Sequence, residues 1–93
     1  MTQKPYSYLQ LQGIVRGFSN HRRLEILELL QNQPELSLVE IAEKLNINFK
    51  TASEYTRRLA IAGLVLKRSQ ASSVCHKITP RTQAILKFLR TLE

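Results

Sequence analysis

Ninety-three residues suffice for one modest hydrophobic core and not for two, which excludes a large multidomain enzyme. Lys and Arg number 14 against seven acids, a net charge of +7, and from Arg57 to Arg90 eight basic side chains follow without an acid among them. A field of one sign on part of so small a chain attracts polyanions, nucleic acid or an anionic membrane surface. Charge alone does not choose between these, and a plain solvated basic face has the same composition.

The apolar content of 43% is that of a globular chain rather than a disordered basic arm. No apolar run approaches the roughly 18 residues of a membrane span, and Met1 to Pro5 lack the apolar core of a signal peptide, so a cytoplasmic location is expected. Cys75 is the single cysteine. It allows neither an intrachain disulfide nor a Cys-rich zinc site within one chain.

Taken in chain order, Tyr8, Leu11, Ile14, Val15 and Phe18 recur at helical spacing and predict a first helix near 6–17, with Gly17 as its stop. Ser19 or Asn20 then caps a second helix over 21–33, whose Leu24, Ile26, Leu27, Leu29 and Leu30 form the wide apolar surface of a central core element before Pro34 ends it. Ser37 and Glu40 have capping-box spacing, and Leu36 can staple against Ile41 at the start of a third helix. Asn46 suits a left-handed helix stop and Asn48 an N-cap, so only Asn46, Ile47 and Asn48 separate the third helix from a fourth over about 49–62, which Gly63 closes. Two short helices joined so closely are a helix-turn-helix candidate.

Residues 64–68 and 74–78 read as strands, with the polar 69–73 as the loop between them. Thr79-Pro80 places a cap before proline at the first position of a last helix over 80–92, with Ile85, Phe88, Leu89 and Leu92 as its inner face. The expected fold is mainly α with a small β-hairpin: five helices and a two-stranded wing in one domain spanning 1–93.

Spacing divides the fourth helix into two faces. Ala52, Thr56, Leu59 and Gly63 suit packing, whereas Lys50, Ser53, Glu54 and Arg57 form a polar face able to meet base edges in a major groove. Any amphipathic surface helix has a polar side. The tight turn before it and the basic hairpin after it favour the nucleic-acid reading.

The run from Phe18 to Ile78 resembles the winged helix-turn-helix of ArsR-type bacterial and archaeal transcription regulators, in "NHRRLEILELL" and "LSLVEIAEKLNINFKTASEYTRRLAIAGLV" followed by a basic hairpin. Arg23 with Ile26-Leu27, Ile41-Ala42 with Leu45, Ser53, Leu59 and Gly63-Leu64-Val65 carry the likeness. "KITPRTQAIL" is also similar to the passage from wing to last helix in MarR-type regulators. The resemblance implies a dimeric regulator of transcription in which Lys50, Thr51, Ser53, Glu54 and Arg57 face double-stranded DNA. The chain departs from the family pattern at Tyr55 and Thr56, where His and Leu are usual. Tyr55 either bonds a phosphate or packs. The family's wing turn commonly contains Gly and 69–73 has none, so a longer, looser loop is expected.

On this reading Lys50, Ser53, Glu54 and Arg57 read bases, Asn48, Thr51 and Arg58 hold phosphates, and Lys67, Arg68 and Lys77 anchor the wing to the backbone or minor groove. Glu54 either accepts from a cytosine amino group or orients Arg57 or Arg58. Tyr8, Leu11, Val15, Phe88, Leu89 and Leu92 on the terminal helices either complete the core or form a homodimer interface, and the latter is expected because they exceed what so small a monomer covers.

The metal sites known in ArsR-type regulators use a Cys-x-Cys pair on the helix that here reads "VEIAEKL", or His and carboxylates on the last helix, and neither set is present. Cys75 and His76, adjacent on a strand, point to opposite faces. No metal or cofactor is expected. With no Asp and no Gly-rich phosphate loop, neither is an enzyme. The competing classes are a winged helix serving as a protein-interaction module, toward which the exposed Phe49 points, an RNA-binding protein, and an architectural DNA-binding protein.

Overall fold

The structure, a computed structural model, describes residues 5–93; residues 1–4, most of the stretch read above as lacking a signal peptide, lie outside the described residues. Its elements are α1 (Tyr8–Phe18), α2 (His21–Asn32), β1 (Leu36–Ser37), α3 (Leu38–Leu45), α4 (Phe49–Ile61), β2 (Val65–Gln70), β3 (Ser73–Ile78) and α5 (Pro80–Arg90). The five helices stand as expected.

The hairpin gains a third strand. β1 pairs antiparallel with β3, Leu36 opposite His76 and Ser37 opposite Cys75, giving a sheet ordered β1-β3-β2. Two residues are too short for an alternation pattern, and Ser37 doubles as the cap of α3. Its Oγ accepts from the Glu40 N–H at 3.2 Å while the Ser37 N–H donates to Glu40 Oε1 at 2.9 Å.

α1 begins two residues later than expected because Ser7 and Gln10 form a second capping box. It runs through Gly17 to Phe18. A Cβ at Gly17 would sit 2.4 Å from the Cβ of Ala62, so this glycine permits close approach of α1 to the end of α4 rather than stopping the helix. Helices α3 and α4 both close as the sequence requires. Asn46 takes φ 54°, and Ile47 N–H donates to Ala42 O at 2.9 Å. Gly63 takes φ 73°, with Leu64 N–H on Leu59 O at 2.9 Å, the bond pattern of a left-handed helix stop.

The core lies among α2, α3, α4 and the inner ends of β2 and β3: Ile26, Leu27, Leu30, Ile41, Ala52, Leu59, Leu64, Val65 and Ile78 are buried. Thr56 is buried with them. Its hydroxyl donates to Ser53 O at 3.0 Å, which satisfies the polar atom where the family has Leu. The inner face of α5 differs from expectation. Thr82 is its buried residue, with Ile85, Leu86 and Leu89 half-buried, while Phe88 and Leu92 are exposed. Thr82 is accepted inside because its hydroxyl donates to Leu64 O at 2.5 Å, and Thr79 likewise donates to Gly63 O at 2.8 Å.

The wing is tight rather than loose. Register from Val65 opposite Ile78 to Gln70 opposite Ser73 leaves only Ala71 and Ser72 between the strands. Without glycine, Ala71 itself takes φ 54°, a conformation that costs a non-glycine residue about 1 kcal/mol or more.

Candidate nucleic-acid interface

Asn48 opens α4. Its side-chain oxygen accepts from the N–H groups of Lys50 at 2.7 Å and Thr51 at 3.2 Å. Asn48, expected above to hold a phosphate, therefore uses its carbonyl oxygen as a cap, and its amide NH2 remains to meet a phosphate. Beyond the cap, Lys50, Arg57 and Arg58 are exposed, and Thr51, Ser53 and Glu54 are half-buried, while Ala52, Thr56 and Leu59 turn into the core. The two faces read from the spacing are thus the two faces of the folded helix.

Glu54 is the electrostatic hub of that outer face. Its carboxylate accepts from Arg57 Nη2 at 2.8 Å and from Arg58 Nε at 3.2 Å. The hydrogen bond from Arg57, ahead of the field of the two guanidinium groups, holds the carboxyl below the ordinary carboxylate range. Of the two roles left open for Glu54, orienting its neighbours is the one that these hydrogen bonds serve.

Tyr55 packs. The guanidinium of Arg23 lies over its ring, 5.7 Å from the centroid, and donates to Arg16 O at 3.1 Å. This clamp ties α1 and α2 to the back of α4.

The wing divides the three basic residues assigned to it. Lys67 stands opposite the buried His76, on the face turned toward α3 and α4, whereas Arg68 and Lys77 alternate to the other face. Arg68 also donates to Glu35 at 2.6 Å. His76 is held from beneath by a hydrogen bond to the carbonyl of Leu36 at 2.9 Å; a carbonyl only accepts, so Nδ1 carries the proton. Half-exposed Cys75 points the other way, and among the described residues no three His, Cys or carboxylate side chains converge.

Arg81 escaped the sequence reading. It donates to Ala62 O at 2.8 Å, closing the end of α4, and to Tyr6 Oη at 3.1 Å. With Arg16, Arg57 and Arg58 it lines a basic groove between α1 and α4. Its only sequence signal was a cation just inside the helix after Pro80, which does not reveal a contact 19 residues away.

A tri-helical core with a closely joined α3-turn-α4, an exposed polar face on α4 and a basic hairpin behind it defines a winged helix-turn-helix. The family model described as "Winged helix-turn-helix DNA-binding" matches residues 19–65, and the chain belongs to that family. Among solved structures, it is 31% identical to the transcriptional regulator HlyU of Vibrio vulnificus, covering 91% of this chain and 88% of that one with a TM-score of 0.75. It is 25% identical to the homodimeric winged helix-turn-helix DNA-binding domain of a possible ArsR-family transcriptional regulator from Mycobacterium bovis, covering 99% and 89% with a TM-score of 0.83. NolR of Sinorhizobium fredii, 22% identical over 97% and 96% with a TM-score of 0.84, shares the fold. Comparison with curated proteins returns no match. The ArsR-like assignment read from "NHRRLEILELL" and the segments after it stands. Among the described residues no helix is long and apolar enough to cross a membrane.

Proposed function

We propose that this chain is a sequence-specific regulator of transcription that binds double-stranded DNA as a homodimer. The observation that carries the proposal is the outer face of α4, where Lys50, Ser53, Glu54 and Arg57 stand clear of the core at the open end of a helix-turn-helix. Such a helix enters the major groove with its N-terminal residues at base edges. Thr51 and Arg58 flank it for phosphate contact, and Lys67 on the inner face of the wing reaches the adjacent backbone or minor groove. Arg68 and Lys77, on the opposite face, serve the same polyanion only from the far side of the wing.

Dimerisation falls to the terminal helices. Tyr8, Leu11, Val15, Phe88 and Leu92 are exposed, and Leu89 is half-buried beside them, a set of apolar side chains that the monomer leaves uncovered. A structural neighbour that matches over 99% of this chain is homodimeric. A two-fold dimer reads a palindrome with half-sites roughly 34–36 Å apart.

Selection of duplexes from a random pool at physiological salt, with sedimentation of the free protein, tests both parts. An enriched palindrome bound by a dimer is the expected result. Salt-sensitive binding without enrichment refutes sequence reading and leaves an architectural role.

A further inference from the structure

Phe49 is the first residue of α4 and is 55% exposed, with no role in the monomer's core. It borders an apolar groove of about 380 Å3 together with Val39 at the start of α3 and Val74 and Lys67 of the wing. An exposed aromatic beside exposed valines is a patch that needs an occupant. Lys67, the cation that lines the groove, favours an occupant that carries negative charge.

Its place on the helix narrows the occupant further. Phe49 and Ser53 are four residues apart and share a face, so Phe49 stands at the edge of the polar face, on the side toward the wing. With α4 in a major groove, a duplex strand passing toward the wing would run across this edge. The C5-methyl of thymine projects into the major groove from the wall of its own strand and is the one apolar group that a base pair offers there.

We propose that Phe49 is a specificity-determining residue that reads a thymine methyl in each half-site, with Val39 and Val74 completing the apolar surround. The inference rests on the proposed entry of α4 into the major groove and adds a base preference that its polar face does not supply. Polar side chains on α4 set the hydrogen-bonding pattern of the site; Phe49 sets a requirement for one methyl group, which a cytosine or a uracil at that position does not meet.

The test is a pair of selections from a random duplex pool, with the parent protein and with Phe49→Ala, followed by titrations in which each enriched thymine is replaced in turn by deoxyuridine. Deoxyuridine pairs alike and lacks only the methyl. At one position per half-site the replacement is expected to weaken the parent roughly three- to tenfold, the effect of one lost apolar methyl contact, and to leave Phe49→Ala unchanged. Phe49→Ala should lose the thymine preference there while retaining the rest of the site, and Phe49→Leu should keep part of it. The inference is overturned if no deoxyuridine replacement weakens the parent, or if Phe49→Ala selects the same site with the same affinity, which would assign the groove to a protein partner. Failure of the parent to enrich any sequence is a different result: it removes the major-groove reading on which the inference rests. The deoxyuridine titration uses the parent protein, so its outcome does not depend on how any variant folds.

Discussion

Glu54 accepts the guanidinium of Arg57 at 2.8 Å one turn along α4 while the same oxygen takes Arg58 Nε at 3.2 Å. A carboxylate therefore sits at the centre of the surface proposed to meet a polyanion and restrains the two arginines nearest it. Exposed pairs of this kind add little to stability; their consequence is for binding. In Glu54→Gln, both guanidinium groups lose their ion pair and a repulsive charge is gone. Affinity for arbitrary duplex should rise, the salt dependence should steepen, and the ratio of specific to non-specific binding should fall. Arg57→Ala should instead cost about 1–3 kcal/mol on the selected site, with relaxed sequence preference. Anisotropy titrations on selected and scrambled duplexes at several salt concentrations separate the two. An unchanged salt slope in Glu54→Gln would remove Glu54 from the interface.

Acid should act on stability mainly through Glu40 in its capping box, with only a small part from the exposed Glu54. Glu40 is held below the ordinary range first by the backbone N–H of Ser37 and then by its hydroxyl, and Glu54 by Arg57. A carboxyl lowered in the folded state contributes stability that is present above its unfolded pKa and is lost as pH falls through the folded value. Urea midpoints should thus decline as pH falls from neutral into and below the carboxylate range. The double variant Glu40→Gln, Glu54→Gln should start lower at neutral pH and decline less steeply. Equal slopes for parent and variant would contradict the assignment.

The features legible in the sequence are those set by local chemistry. Ser37 with Glu40, Asn46, Asn48, Gly63 and Thr79-Pro80 each satisfy helix-end groups within a few residues, and each marks a real helix boundary. The division of α4 into a packed and a polar face was equally legible, because period 3.6 is intrinsic to the helix. What escaped depends on partners far along the chain. β1 exists only because β3 lies beside it, and Arg68 meets Glu35 across 33 residues. The inner face expected of α5 differs because burial there follows a hydroxyl that finds Leu64 O, which leaves Phe88 and Leu92 exposed among the side chains expected at a dimer interface. The wing turn is tighter than expected because Ala71 takes a left-handed backbone conformation that alanine rarely adopts.

Two glycines of one helix should respond in opposite directions to the same substitution. At Gly13 a Cβ would meet nothing within 4 Å, so Gly13→Ala should stabilise the chain by about 0.5–1 kcal/mol through reduced backbone freedom in the unfolded state. At Gly17 a Cβ would lie 2.4 Å from that of Ala62, and α1 must shift away from α4 to admit it. Gly17→Ala should therefore cost about 1–3 kcal/mol as an overpacked contact. Thermal and urea unfolding of the two variants decide the matter. Equal effects would mean that α1 does not seat against α4 as described.

The terminal helices carry the last expectation. Val15 and Phe88 are exposed at 50% and 59%, so in a monomer a charge at either position should change stability by no more than about 0.5 kcal/mol. In a two-fold dimer that buries their exposed halves, each substitution removes about half of the roughly 1.5–3 kcal/mol of a fully buried apolar side chain in each of two protomers, about a tenfold or greater rise in the dissociation constant. Val15→Glu with Phe88→Glu should accordingly shift the sedimentation equilibrium to monomer. The parent's thermal midpoint should rise with protein concentration and the variant's should not, because only a folded dimer couples stability to concentration. The monomeric variant should still contact a single half-site, with affinity for the full palindrome reduced toward that for one half. A variant that sediments as the parent does would place the dimer interface elsewhere on the molecule.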